Sequence, residues 1–326
     1  MFHGARRRPV GQTPAMTVDD STTDTADLTA ADVAWDIDSI LPPGETPAGL
    51  FDRADEIADS LTGLRGRVAD LDAGELAAAM QTMAELHDLM SRASYHAMLA
   101  FSTATDDPAR GAAMAAAQER STAIGTKLIF FDLEWAAADD DHAATVLADP
   151  RLDFCRHHLD TLRLSRPYLL SEAEETIVAE KSQTGFGAWV RLFDELTSAI
   201  TVDLPDDLGG AGMPLMQGLA MMQHPDRSVR QQLATAVTAG LEPGLRTRAY
   251  VFNTLLHDKA IDDRLRGYPS WVSSRNLANE ASDESVQALV DAVVDSYSIA
   301  QRWYTLKAKV LGLDKLADYD RMASVA

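Results

Sequence analysis

The sequence predicts a mainly α-helical protein with at most one small β-hairpin, near residues 200–217. Through most of the chain, apolar residues recur at steps of three and four, the spacing that places them on one face of a helix. Glycine, proline and polar turn signals divide these stretches into helices of about 15 to 30 residues. Only residues 200–204 alternate apolar and polar side chains as a strand does. No repeat of fixed period is present, which argues against a solenoid.

The composition indicates a globular protein without nucleic-acid or membrane partners. With 326 residues, 46% of them hydrophobic, the chain can bury a substantial core. Its formal net charge of -21 would repel the phosphates of nucleic acids and of anionic membranes. No apolar run approaches the roughly 20 residues of a membrane span, and no apolar segment of a secretory signal follows the basic N-terminal cluster. The sequence therefore predicts a cytoplasmic protein.

The first half of the chain is predicted as a leader followed by three long helices. Residues 1–33 are rich in Thr, Asp, Ala and Arg and predict a disordered leader. Residues 48–68 predict one amphipathic helix, whose heptad-like seam suits a coiled-coil partner or, as we favour, packing within a helical domain. The second helix is predicted over residues 74–102, and the third runs from Pro108 through Trp135. Two shorter helices are expected between residues 141 and 164.

Turn signals organise the middle of the chain. Ser171 and Glu174 predict a capping box at the start of the next helix. Gly185 and Gly187 lack the preceding strand and the Lys-Ser/Thr pair of a phosphate loop, so they predict a tight bend between two helices. The predicted hairpin pairs residues 200–204 with residues 213–217. Helices resume over residues 225–240 and 242–261, and a turn-rich link is predicted over residues 264–271.

The stretch from Ser282 onward predicts a single long amphipathic helix. Ser282 is suited to the N-cap position, and the two acidic residues after it favour the positive end of the helix dipole. Lys307 and Lys309 lie in the expected last turn, and Gly312 is expected to end the helix. Residues 313–321 are predicted as a polar connector.

The histidines and the acidic run were considered as metal sites, and the structural alternative is favoured for each. His87 and His96 lie nine residues apart, so they do not share a helix face at ligand spacing. His157 and His158 are adjacent, so on a helix their rings point in different directions. The acidic residues 139–141 lack the spaced oxygen ligands and glycine of a calcium loop and predict a solvated turn.

Two further groups could be imagined as reactive or substrate-binding. Cys155 is the single cysteine, which excludes an internal disulfide, and we expect it to be a buried thiol rather than a nucleophile. The arginines and aromatic residues of the link over residues 264–271 could contact a peptide, but packing on neighbouring helices is favoured. No catalytic or metal-binding residue is therefore assigned, and the substrate-binding residues stay unknown.

Several short motifs together carry a family resemblance that extends from about Ala34 to the last residue. The motifs are Trp35-Asp36-Ile37, Leu170-Ser171-x-x-Glu174-Glu175, Ser182-x-x-Gly185-x-x-Ala188-Trp189-x-x-Leu192-Phe193, Asp226-Arg227-x-x-Arg230, and Tyr304-x-x-Lys307-x-Lys309-x-Leu311-Gly312-Leu313 followed by Tyr319-Asp320. In order and spacing they resemble the M3 family of zinc metallopeptidases, specifically its oligoendopeptidase F group. The resemblance implies a helical N-terminal domain over residues 34–204 and the start of a helical catalytic domain over residues 205–326.

The resemblance also implies chemistry for which this sequence lacks the residues. In that family an HExxH helix and a further Glu hold zinc, and the enzyme hydrolyses short peptides that enter a channel between helical halves. None of the eight histidines begins an HExxH motif: His3, His87, His96, His142, His157, His158, His224 and His257. We therefore expect an N-terminal part of such an enzyme, cut off before the zinc site, inactive as given and binding no zinc.

Two hypotheses remain open on the sequence. Under the first, the DNA beyond Ala326 encodes the HExxH region of an M3-type oligoendopeptidase. Under the second, the chain is a non-catalytic helical scaffold or interaction protein derived from that family. Under the first hypothesis the apolar face of residues 286–311 would lack its full set of partners, which predicts self-association through this face.

Overall fold

The computed structural model describes residues 34–325, and the predicted leader over residues 1–33 lies outside this range. The prediction of a mainly helical fold with one small hairpin is confirmed. The α-helices are α1 (Pro47–Leu61), α2 (Ala73–Ser102), α3 (Pro108–Ala137), α4 (Asp140–Leu147), α5 (Arg156–Leu164), α6 (Glu172–Ser182), α7 (Phe186–Ser198), α8 (Leu215–Ala220), α9 (Arg227–Leu241), α10 (Leu245–Arg266), α11 (Ser273–Ala278), α12 (Asp283–Asp295) and α13 (Tyr297–Val310). The strands are β1 (Thr201–Val202) and β2 (Met213–Pro214).

Helices α1 to α5 share one continuous apolar core. Leu50, Leu76 and Phe131 are almost completely buried in it. Trp135 on α3 is fully buried, and its indole Nε1 donates to the carbonyl of Leu159 on α5 at 2.9 Å. This bond satisfies the one polar atom of the largest side chain in the core. Met80 and Met83 of α2 belong to this core, as expected.

The single helix predicted over residues 48–68 is wrong at its C-terminal end. Helix α1 ends at Leu61, and the chain turns at Gly66, whose φ is +78°. The turn leaves backbone N–H groups that a helix would have paired internally. Glu134 on α3 accepts two of them, from Gly66 N at 2.7 Å and from Val68 N at 3.0 Å. A long-range carboxylate therefore completes this turn, which apolar spacing alone cannot reveal.

The capping box and the bend in the middle of the chain are confirmed, and the hairpin is confirmed but shorter than predicted, because residues 215–217 belong to α8. Ser171 N donates to Glu174 Oε2 at 2.9 Å, and Glu174 N donates back to Ser171 Oγ at 3.4 Å. The bend between α6 and α7 requires a glycine, because a Cβ at Gly185 would approach the Lys181 carbonyl to 3.0 Å. In the antiparallel hairpin, Thr201 lies opposite Pro214 and Val202 opposite Met213. The hairpin packs on a second, smaller core that includes Leu233 and Val237 of α9.

The C-terminal helices differ from prediction in two places. Residues 264–266 belong to α10 rather than to a link, since this helix ends only at Gly267. The helix predicted over residues 282–311 consists of α12 and α13, with a break at Ser296. There the Ile299 N–H bonds the Ser296 carbonyl three residues back, at 2.9 Å, and the Ser-Tyr-Ser sequence has low helix propensity. The predicted ends hold, because Ser282 caps α12 and the Schellman-type bond from Leu313 N to the Ala308 carbonyl follows α13.

Candidate functional site

The segment after α13 contains a completely buried carboxylate, where a polar connector was predicted. Asp320 lies in a short 3-10 turn and has no solvent exposure. Its Oδ2 accepts from Arg227 Nη2 at 3.0 Å and from the backbone N–H of Ala317 at 2.8 Å. Its Oδ1 accepts from Arg227 Nε at 3.1 Å and from Arg230 Nη2 at 3.0 Å. Two arginines of α9 thus hold a carboxylate that lies about 90 residues further along the chain.

Arg230 and Lys307 extend this cluster into the protein. Arg230 is 2% exposed, and its Nη1 donates to the carbonyls of His224 and Pro225, both at 2.8 Å. Its Nε donates to the Tyr319 carbonyl at 3.1 Å. Lys307 of α13 is also buried, and its Nζ donates to the Arg321 carbonyl at 2.8 Å. The cluster therefore joins α9, α13 and the segment after α13 into one hydrogen-bonded unit.

The charges in the cluster are strongly stabilised. Burial by itself would raise the pKa of Asp320, but the hydrogen bonds from Arg227, the Ala317 N–H and Arg230 outweigh it and lower this pKa to about 2. The bonds to Asp320 raise the pKa of Arg227. The Arg227 guanidinium also lies 5.3 Å from the centre of the Tyr319 ring, within the range of a cation–π contact.

The sequence contained both halves of this cluster without showing that they meet. Arg227 and Arg230 are three residues apart, so they lie on the same face of α9 in its first turn. In the sequence, Tyr319 and Asp320 stand out only as the end of the last motif that carries the family resemblance. The only local signal was the spacing of the two arginines on one face of α9, and that spacing does not identify their partner. Lys307 lies in the last turn of α13 as predicted, and its side chain is buried.

The apolar face predicted over residues 286–311 is exposed over most of its length. Helix α12 contains no buried residue, and Lys307 is the one buried residue of α13. In α12, Leu289 is 64% and Val293 50% exposed. Helix α13 also carries a second apolar stripe, whose residues are not part of the predicted face. We call it the α13 stripe, and its four members at steps of four, three and four are all about half exposed: Ile299, Trp303, Leu306 and Val310.

The structure separates the histidines that were considered as ligands. His157 Nε2 lies 2.7 Å from Glu280, whereas its neighbour His158 lines a cavity with His87 and Asp132. Burial lowers the pKa of His87, and the charge of His158 adds to this effect. His96 bonds Asp38 at 2.9 Å. Within residues 34–325, no three His, Cys, Asp or Glu side chains are arranged to hold a metal ion.

Cys155 and the acidic residues 139–141, the other candidates for a reactive or metal-binding role, have structural roles instead. Cys155 is buried, and burial raises the pKa of its thiol, which disfavours the nucleophilic thiolate. Asp139 caps α4 through the N–H of Asp141 at 3.0 Å, and Asp140 pairs with Arg163. The acidic run is thus an N-cap with an ion pair, which leaves few oxygens free for a cation.

The predicted link over residues 264–271 divides into packed and exposed residues. Arg266 forms a two-pronged ion pair with Glu175 of α6, at 2.7 and 2.9 Å. Tyr268 stacks on Tyr168 with ring centres 4.2 Å apart. Trp271, in contrast, is 78% exposed. The packing interpretation therefore holds for Arg266 and Tyr268.

Comparison with known proteins shows that the chain is similar to oligopeptidases of the peptidase M3 family. The N-terminal family model of peptidase M3, described as Oligopeptidase F, matches residues 134–201. Group B oligopeptidase PepB from Streptococcus agalactiae serotype III (strain NEM316) is 28% identical over 186 residues, which are 56% of this chain and 31% of PepB. Oligopeptidase PepF from Bacillus subtilis (strain 168) is 23% identical over 294 residues, which are 89% of this chain and 44% of PepF. The chain is an M3 oligoendopeptidase F-like protein.

A solved structure shares the fold of this oligoendopeptidase F-like protein. The crystal structure of oligoendopeptidase-F from Enterococcus faecium superposes with a TM-score of 0.72 at 20% identity, over 84% of this chain and 56% of that one. The chain thus spans less than half the length of the two oligopeptidases that it matches in sequence. No helix among residues 34–325 is long and apolar enough to cross a membrane.

Zinc, which the resemblance implies, does not fit the donors of residues 34–325. A catalytic zinc needs three protein ligands, usually histidines and carboxylates, on one open site. The sequence has no HExxH motif, and the described residues hold no group of three such side chains that could bind a metal ion. We therefore assign no catalytic step to any residue of this chain.

Proposed function

We propose that this chain is the N-terminal part of an M3-type zinc-dependent oligoendopeptidase and that it has no peptidase activity alone. The observation that carries the proposal is a similarity to PepF spread over 89% of the chain, in a sequence without HExxH. Residues 34–204 would form the helical N-terminal domain, and residues 205–326 would begin the catalytic domain. The expected location is the cytoplasm, and the expected substrates of the complete enzyme are short peptides.

In this proposal the chain supplies structure rather than catalysis. Its helices would form one wall of the peptide channel, and the zinc ligands would come from residues outside this sequence. The cluster around Asp320 would fix the segment after α13 against α9. In the proposed complete enzyme, the rest of the catalytic domain would then continue from a fixed position next to α9.

We expect the purified 326-residue chain to contain no stoichiometric zinc and to leave a quenched fluorescent peptide uncleaved. The physical reason is the lack of a set of ligands that could hold the metal and activate water. Zinc is measured by elemental mass spectrometry, and cleavage is followed with and without a chelator. PepF from Bacillus subtilis serves as the positive control. One zinc per chain together with chelator-sensitive cleavage would contradict the proposal.

A non-catalytic scaffold or interaction protein is the second candidate. It is favoured by the exposed apolar faces of α12 and α13, which suit a binding surface. The two candidates separate when the chain is mixed with a separately produced HExxH-containing fragment of an M3 relative. Restored, chelator-sensitive cleavage supports the peptidase part, whereas a stable complex without cleavage supports the scaffold. The fragment alone is the control.

We also propose that the isolated chain self-associates through the exposed faces of α12 and α13. The exposed apolar side chains there recur along each helix instead of standing singly on the surface, and no described element covers them.

A further inference from the structure

A groove of about 740 Å³ lies between the α6–α7 bend and the second half of α10 with α11. This volume falls in the range of small-ligand sites. The groove is separate from the cluster around Asp320 and from the exposed faces of α12 and α13. Its apolar lining comes from four helices: Val178, Phe186, Ile261, Leu265 and Ala278.

Ion pairs hold the walls of this groove together. Arg266 of α10 is bound to Glu175 of α6 at 2.7 and 2.9 Å. Lys259 of α10 donates to Asp263 at 2.8 Å and to Ser274 of α11 at 3.0 Å. The helices on the two sides are therefore connected, so the groove is formed before any ligand binds.

Two cations at the groove have no such partner. Lys181 of α6 and Arg275 of α11 line it, and neither forms an ion pair or hydrogen bond with a side chain or carbonyl in residues 34–325. Most arginines of this acidic chain, by contrast, are paired with carboxylates or carbonyls. Two unpaired cations from different helices beside an apolar lining are complementary to an anion that carries an apolar group.

We propose that this groove binds the C-terminal end of a short peptide. The peptide carboxylate would accept from Lys181 and Arg275, and an apolar last side chain would pack on Phe186 and Leu265. An inorganic anion would use the cations but leave the apolar lining in water. The carboxylate of Asp258, which also lines the groove, could accept N–H groups of the peptide backbone.

This inference rests on the proposed function, because it names the class of peptide that this half of the protein recognises. It requires no cleavage, so binding can be measured on the complete 326-residue chain. The probe is a fluorescein-labelled pentapeptide that ends in leucine, followed by fluorescence anisotropy. The control is the same peptide with a C-terminal amide, which lacks the negative charge of the carboxylate but keeps the apolar side chain.

We expect the acid to bind at least about tenfold more tightly than the amide, the ratio that one charge-assisted hydrogen bond provides. Lys181→Gln and Arg275→Gln should each reduce this ratio. Arg264→Gln is the matched control, since Arg264 is an exposed cation of α10 outside the groove. Phe186→Ser should weaken the acid and the amide equally. All four positions are at the surface or at its edge, so melting curves should stay close to that of the wild type.

Equal binding of acid and amide, or no binding of either at millimolar peptide, would overturn the inference. It would also fail if Arg264→Gln weakened binding as much as Lys181→Gln and Arg275→Gln do, or if inorganic phosphate displaced the peptide at equal concentration. The proposed function fails by different results, namely zinc content, cleavage by the chain alone, or no restored cleavage with an HExxH fragment. The two failures are therefore distinguishable.

Discussion

Asp320→Ala is expected to lower the free energy of unfolding by about 3–5 kcal/mol, the cost of removing one partner from a buried ion pair. Asp320 is fully buried and Arg230 is 2% exposed, so the substitution leaves a buried guanidinium without its counter-charge. It also removes the acceptor for Arg227 and for the Ala317 N–H. Chemical denaturation followed by circular dichroism measures the change.

Asp318→Ala is the matched control for this prediction, since Asp318 lies in the same turn with an exposed side chain. Its effect should stay within about 0.5 kcal/mol, as for most surface substitutions. The double variant Arg230→Met with Asp320→Leu should be more stable than Asp320→Ala, because it leaves no buried charge unpaired at this position. If Asp320→Ala and Asp318→Ala proved equally stable, the cluster would not contribute as the structure indicates.

The same carboxylate predicts a pH dependence of stability. The pKa of Asp320 is lowered from 3.8 to about 2 in the folded protein. Its contribution is therefore complete above the unfolded value, near pH 4, and is lost as the pH falls through about 2. The size is about 2–3 kcal/mol from the shift in pKa. The stability difference between wild type and Asp320→Asn should shrink from pH 5 to pH 2, and a constant difference would contradict this.

Ile299→Gln with Leu306→Gln is expected to weaken self-association of the chain by at least about a hundredfold. Each side chain is about half exposed in the α13 stripe, so burying the rest between copies would gain about half of the 1.5–3 kcal/mol of complete burial, or roughly 0.8–1.5 kcal/mol. That free energy corresponds to roughly four- to thirteenfold in affinity for each residue, and in the double variant both residues are lost from both associating copies. Sedimentation velocity over a range of concentrations measures the effect, and the melting temperature should change little.

Ile177→Gln provides the control for association, since Ile177 on α6 is 62% exposed but lies outside the α13 stripe. This variant should associate like the wild type. A wild-type chain that stays monomeric at high concentration would contradict the prediction. So would an equal effect of Ile177→Gln, which would indicate unspecific contact between copies.

Local signals in the sequence predicted most helices but not the contacts between distant segments. Residues 74–102 and the helix from Pro108 were found because caps and apolar spacing lie within the helix itself. The end of α1 was missed because Glu134, which binds the turn after it, lies on α3. The break at Ser296 interrupts an apolar pattern that stays continuous in sequence, so spacing did not reveal it.

The candidate site was harder to predict than the fold, since its residues come together only in three dimensions. Asp226-Arg227-x-x-Arg230 and Tyr319-Asp320 were both noted, yet nothing local links them. The prediction of an exposed apolar face was correct for α12, because an amphipathic helix shows its apolar side in its own sequence. In α13 the predicted face is partly buried at Lys307, and the α13 stripe lies on another side of the helix.

The distance along the chain between Arg230 and Asp320 has a consequence for synthesis in the cell. The arginines of α9 leave the ribosome 90 residues before the carboxylate that pairs with them. At about 5–20 residues per second, the delay is about 5 to 18 s. During that time the start of α9 carries two unpaired cations and cannot reach its final arrangement. The core of α1 to α5 can form while the chain still grows, whereas the α9–α13 half must wait until residue 320 has emerged.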